Sequence, residues 1–199
     1  MTPDLDAWEA WSPRVIADRL AGIEPAWCVA AGWALDLFRG VQTRPHHDLE
    51  IAVPAAGFAQ VAPRFGDCDF YTTHDGTVRP ATADTLRVSH QTWALERATG
   101  KWRLDVFREP HDGDVWIFRR DDRIRRPYAD VIRRTPDGIP YLAPEIVLLF
   151  KAKSPRDKDE ADFRGVLASL DPGARRWLDE ALAVISPAHP WRAAIDVSG

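Results

Sequence analysis

The chain has 199 residues, of which 45% are hydrophobic and 28% charged, with nine tryptophans and eight phenylalanines; that is too apolar and aromatic for a disordered chain and long enough for one substantial core plus an appendage. A formal net charge of −4 supplies no global positive field for a nucleic-acid backbone and suits a small cationic substrate better, while no apolar run nears the roughly 18 residues that a membrane span needs. Cys28 and Cys68 lack any CxxC or Cys/His zinc spacing and the opening "MTPDLDAWEAW" is acidic rather than signal-like, so the chain reads as cytoplasmic with reduced thiols.

Ser12 before Pro13 supplies a capping hydroxyl and a proline at the first helical position, and Val15, Ile16 and Leu20 then form a one-sided apolar stripe. "WCVAAG" is a short apolar run ending in glycine, read as a buried strand entering a turn. Trp33, Ala34, Leu37 and Phe38 recur at helical spacing, and Gly40 closes that helix. "DLEIAV" alternates polar and apolar as a strand up to Pro54; Ala55 to Phe65 is read as a helix and "CDFYTT" as a strand. "QTWALER" and "KWRLDVF", joined by "ATG", predict a hairpin, with further strands at "VWIFRR" and "ADVIRRT".

From Pro144 the character changes. Pro144 and Glu145 open a helix running through Lys153; Phe163, Val166, Leu167 and Leu170 repeat at i, i+3, i+4, i+7; Asp171 and Pro172 start a last helix striped by Ala174, Trp177, Leu178, Ala181, Leu182 and Ile185. The expected architecture is α+β over residues 1–140 with a helical portion over 141–199, and no internal repeat or low-complexity segment interrupts it.

Residues two apart on a strand share a face, so a strand through "DLEI" would present Asp48 and Glu50 together while Leu49 and Ile51 enter the core. Paired hard-oxygen ligands are what Mg²⁺ uses beside substrate phosphates. A third carboxylate would complete a two-metal site, with ions roughly 3.5 to 4 Å apart, and Asp105 in "WRLDVF" points opposite to Leu104 and Val106, making it the candidate. An isolated D-x-E is more often the wet face of an amphipathic strand. Here Gly32 sits at a strand-to-helix turn whose free backbone N–H groups form a natural phosphate cradle, although a lone glycine equally marks an ordinary turn.

"GWALDLFRGVQTRPHHDLEI" resembles the signature of the nucleotidyltransferase fold, in particular the small aminoglycoside and lincosamide nucleotidyltransferases. Gly32, Trp33, Asp36, Gly40, Arg44, His46 and Asp48 fall on that pattern in register; "RLDVF" resembles the strand bearing the third carboxylate, and "APEIVLLFKAK" with "KDEADF" the C-terminal helical segment, so the resemblance spans about Val15 to Leu170. Two positions depart from it: Ala31 replaces the first glycine of a pair, and Glu50 replaces the second metal-ligand aspartate.

The resemblance implies a mixed sheet with flanking helices and Mg²⁺-dependent transfer of a nucleoside monophosphate from a nucleoside triphosphate to a hydroxyl of a small molecule, an antibiotic of these classes among the candidates. Asp48 and Glu50 would hold the metal, and Asp105 would share it and accept the acceptor's proton. Gly32, Trp33, Arg44, His46 and Lys151 would form the nucleotide side. Arg44 either meets the triphosphate or buttresses the acidic cluster, Lys151 either meets it or serves the helix dipole, and His46 is as readily a loop hydrogen-bonder. Asp36 is read as a cap or a partner of Arg44, Asp162 as a salt-bridge residue, and His47 as exposed. The run Arg119, Arg120, Arg123, Arg125, Arg126, interleaved with Asp121 and Asp122, reads as a solvated surface. Trp93, Trp102 or Trp116 could stack on a ligand ring. Two alternatives stand beside this reading: a member that keeps the fold and nucleotide affinity without turnover, motivated by Ala31 and Glu50, and an enzyme that nucleotidylates tRNA or a protein. Acceptor, base preference and oligomeric state are not legible.

Overall fold

Local chemistry sets the first elements of this computed structural model, which describes residues 3–24 and 26–195. Helix α1 (Pro13–Arg19) starts where the Ser12 hydroxyl accepts from the Val15 N–H, as the capping rule anticipates. Strand β1 (Cys28–Val29) leads into α2 (Ala31–Arg39), which ends at Gly40 in the left-handed conformation with φ 71°. Strand β2 (Glu50–Pro54) follows. The strand expected through "DLEIAV" thus begins two residues late, leaving Asp48 in the approach to it, because the chain there is still turning off the Arg44–His47 loop.

The helix expected over Ala55 to Phe65 is broken into a 3₁₀ turn at Ala55–Gly57, the single turn α3 (Phe58–Val61) and another 3₁₀ turn at Ala62–Phe65. Pro63 interrupts the backbone ladder there. Strands β3 (Cys68–His74) and β4 (Thr77–Pro80) form a hairpin around Asp75-Gly76, whose positive φ values of 46° and 72° suit that pair. After α4 (Ala83–Val88), β5 (Gln91–Glu96) and β6 (Lys101–Glu109) make the anticipated hairpin. Strands β7 (His111–Asp112), β8 (Val115–Ile117) and β9 (Arg125–Pro127) form a separate three-stranded sheet.

"ADVIRRT" divides into the turn α5 (Tyr128–Val131) and strand β10 (Ile132–Arg134) rather than forming one strand. Strand β11 (Pro140–Leu142) precedes α6 (Pro144–Lys151), α7 (Asp157–Leu167), α8 (Pro172–Ile185) and α9 (Pro190–Ala194). Asp171 caps α8 by accepting from the Ala174 N–H at 2.8 Å.

The main sheet runs β10-β11-β1-β2-β6-β5-β3-β4 and is mixed: β2 lies parallel to β6 and β1 parallel to β11, while its other pairings are antiparallel. The parallel register matters most, since it sets Glu50 directly beside Asp105. Helix α6 packs on both α2 and α8, and one continuous core joins Val29, Leu49, Ile51 and Val106 of the sheet region to Ile146, Leu148, Phe163 and Leu178 of the helices. At the N-terminus, the Glu9 and Trp11 N–H groups donate to Trp102 and Arg103, laying that segment along β6. No helix among the described residues is long and apolar enough to cross a membrane, and both cysteines are buried free thiols.

Candidate active site

A cavity of about 800 Å³ opens where the turn before α2, the Arg44–Asp48 loop, β2, the end of β6 and the α6–α7 connection meet. Glu50 and Ala52 from β2 and Phe107 and Glu109 from β6 line it, as parallel neighbours whose side chains alternate out of the sheet. The cavity wall also carries seven lysines and arginines against four carboxylates, so it is cationic within a chain of net charge −4. That distribution suits a polyanion such as a triphosphate.

At its floor, burial together with Asp48 and Asp105 pushes the Glu50 carboxyl up to about 8, against the opposing pull of Lys151. Burial, with Asp48 contributing, likewise lifts Asp105 to about 7, opposed by Gln91, which donates to Asp105 Oδ2 at 2.5 Å. Asp105 lies beneath the cavity rather than in its wall, 3% exposed, with Trp93 as its cross-strand neighbour. Oδ1 of Asp105 is buried without a hydrogen-bond partner. Carboxylates that repel one another, with an orphaned oxygen among them, are a donor set for a hard divalent cation. Among the described residues no three acidic, histidine or cysteine side chains stand as a ready-made metal cage. A Mg²⁺ ion does not require one, because it commonly combines one or two carboxylates with substrate phosphates and water.

The Arg44–His46 loop is held by contacts that sequence pattern alone did not reveal. His46 Nε2 lies 2.6 Å from Asp36 Oδ2, both side chains being nearly inaccessible, and the His46 ring stacks on Trp33 with centroids 4.6 Å apart. The Thr43 hydroxyl donates to the other Asp36 oxygen at 2.6 Å. Asp36 is therefore the anchor of the loop and neither a cap nor a partner of Arg44. Gly32, which lines the cavity, also has a steric reason to lack a side chain. A Cβ there would sit 2.5 Å from Arg44 Nη2 and 2.7 Å from the His46 ring, so the missing side chain makes room for the loop. The strained backbone is one residue earlier: Ala31 has φ 49°, a left-handed conformation that explains why a glycine would be natural at this turn.

Arg44 lines the cavity and pairs with Asp162 at 3.6 Å; Lys151, also in the wall, lies 2.7 Å from Asp159 and 3.0 Å from Asp162. The two cations are thus tied to the start of α7 by the same carboxylate. His47 is exposed, as anticipated, and packs near Trp8. The arginine run is divided. Arg123 pairs with Asp121 and Arg125 with Asp122 at the surface, but Arg126 reaches the buried Glu145, and Arg119 and Arg120 line the cavity. The small β7–β9 sheet and its 118–124 turn fold this segment back over the main sheet, a long-range placement that charge spacing cannot report. Other residues that local pattern did not single out are Glu109, Gln91 and Trp8, which meets Trp93 edge-to-face at 5.1 Å near the carboxylates. Trp102 is wholly buried and Trp116 nearly so.

Residues 14–107 match the family model described as aminoglycoside-2''-adenylyltransferase. No curated protein matches. Among solved structures, the lincosamide antibiotic adenylyltransferase LnuA with lincomycin bound aligns at 16% identity over 76% of this chain and 91% of its own, with a TM-score of 0.53. ANT(2'')-Ia in complex with adenylyl-2''-tobramycin aligns at 12% identity over 87% and 95%, with a TM-score of 0.56, and its solution structure at 13% over 92% and 93%, with a TM-score of 0.53. At such identities the structural likeness is one of fold. Sheet, glycine turn and paired carboxylate strands define a nucleotidyltransferase-fold protein. Within that class, the matched residues 14–107 hold the turn, the anchored loop, β2 and most of β6, and the likeness is to the antibiotic adenylyltransferases.

Proposed function

We propose that this protein is a Mg²⁺-dependent nucleotidyltransferase that moves a nucleoside monophosphate from a nucleoside triphosphate to a hydroxyl of a small acceptor, an aminoglycoside or lincosamide antibiotic. The observation that carries the reading is the Glu50–Asp105 pair, adjacent across parallel strands at the floor of a cationic cavity. Asp48, Glu50 and Asp105 are the residues that would hold the metal, which supplies charge neutralisation at the phosphoryl oxygens. Arg44 and Lys151 draw the triphosphate into the cavity, and their ties to Asp162 hold them in place before it arrives. Asp105, whose Oδ1 is buried without a hydrogen-bond partner, is the carboxylate that would also take the acceptor hydroxyl's proton. Trp33 and His46 act indirectly, by fixing the Arg44 loop. Reduced buried thiols and a nucleoside triphosphate co-substrate are consistent with a cytoplasmic enzyme.

The test is mass spectrometry of aminoglycoside and lincosamide panels incubated with each nucleoside triphosphate and Mg²⁺, alongside calorimetric titration of the triphosphates. An acceptor gaining the mass of a nucleoside monophosphate, with the product lost in Asp105→Asn, is the expected result. A folded wild type that binds no triphosphate at any Mg²⁺ concentration overturns the proposal.

A further inference from the structure

The part of the cavity around Glu109, beyond the Glu50–Asp105 pair along β6, has its own chemistry. Glu109 lies four residues beyond Asp105 on β6, roughly 13 Å along the strand, and shares its face with Phe107. Its side chain is 2% exposed and lines the cavity. Arg119 Nη1 donates to Oε1 at 2.5 Å. Oε2 is buried with no partner at hydrogen-bond geometry, although the Trp116 indole stands close enough to the carboxyl to favour its charge; the buried Tyr128 hydroxyl is also unpartnered and does not fill the place. Phe107, Trp116 and Phe150 line the same end, with the Arg119 guanidinium 4.3 Å from the centroid of Phe150 and 5.2 Å from that of Phe107. Burial pushes the Glu109 carboxyl up, opposed by Arg119 and the Trp116 indole. A buried carboxylate oxygen left without a donor is costly, and it is tolerated where a ligand supplies the donor.

We propose that this aromatic end seats the nucleobase and that Glu109 Oε2 accepts a hydrogen bond from an exocyclic amino group, making the enzyme selective for amino-bearing bases. The assignment rests on the nucleotidyl-transfer reading, which places the α-phosphate at Glu50 and Asp105. The strand distance to Glu109 then matches the run from that phosphate through the sugar to the far edge of a base. A carbonyl oxygen at the same place would face a carboxylate oxygen and be repelled, so the site discriminates by rejection as well as by attraction.

The experiment is calorimetric titration, with Mg²⁺, of two pairs that differ in the amino group: CTP against UTP, and ATP against purine riboside triphosphate. Wild type is expected to favour the amino-bearing member of at least one pair roughly tenfold or more. In Glu109→Gln the amide oxygen turns to Arg119 and its NH₂ faces the ligand, so the CTP/UTP preference should shift towards UTP. Inorganic tripolyphosphate should bind both proteins alike, and equal melting temperatures would show the variant folded. Equal affinities within both pairs in the wild type, or an unchanged ratio in Glu109→Gln, overturn the assignment while leaving the transfer reaction intact. Absence of any triphosphate binding overturns the proposed function and this assignment with it.

Discussion

Glu50→Gln separates what the carboxylate pair does for the reaction from what it costs the fold. In the ligand-free protein Glu50 is held near 8 and Asp105 near 7, whereas an unfolded chain ionises both near pH 4. Between about pH 4 and 8 the native state therefore binds more protons than the unfolded state, and the free energy of unfolding falls as pH rises through that window. For Glu50 the displacement from 4.5 to about 8 sets a ceiling of about 5 kcal/mol. Its side chain lines an open cavity and shares the repulsion with Asp48 and Asp105, so solvent screening lowers the net effect to about 2 kcal/mol. Glutamine keeps the volume and cannot ionise. Without metal at pH 8, Glu50→Gln should be more stable than wild type by about 2 kcal/mol, roughly 4 to 8 °C in Tm for a chain of this size. At pH 5 the two should nearly coincide, and Mg²⁺ should raise the wild-type Tm more at pH 8 than at pH 5, and raise the variant's less than the wild type's at pH 8. Scanning calorimetry and urea unfolding at pH 5, 6.5 and 8 measure this. A variant less stable than wild type at pH 8, or a stability difference independent of pH, would refute the claim of mutual repulsion in a desolvated site.

Three further outcomes follow from the turn and the anchored loop. Gly32→Ala places a methyl against Arg44 and His46 and should cost about 2 kcal/mol by overpacking, with weaker triphosphate binding as Arg44 is displaced; unchanged urea midpoint and affinity would contradict the crowding. Ala31→Gly relieves a left-handed alanine worth about 1–2 kcal/mol while adding unfolded-chain freedom of about 0.4–1 kcal/mol, so thermal unfolding should show a small net gain, and a loss would mean that the backbone is not strained. Asp36→Ala strips His46 and Thr43 of their acceptor and should destabilise by about 1–3 kcal/mol; an NMR spectrum in which the His46 ring stays ordered at unchanged stability would sink the anchor role.

Sequence alone determined the features whose causes are local. Ser12 with Pro13, Gly40, and Asp171 with Pro172 carry their helix boundaries in their own backbone chemistry. The alternation in "WRLDVF" sets Asp105 opposite Leu104 and Val106 wherever the strand lies, and the Gly-Trp to Asp spacing carries the family resemblance by itself. Tertiary structure alone decided what depends on partners far along the chain. Parallel pairing of β2 with β6 brings Glu50 beside Asp105, 55 residues apart in the numbering, and two strands cannot announce their register when each is merely apolar and alternating. The same holds for Arg119 and Arg120: their interleaved charges read as a wet surface until a second small sheet folds them over Phe150 and Glu109. Gly32 shows the division at one residue. Its place in a turn is written in the sequence, but its lack of a side chain is explained only by the Arg44 and His46 groups packed against it, because steric demand belongs to the pair of surfaces in contact and not to either segment alone.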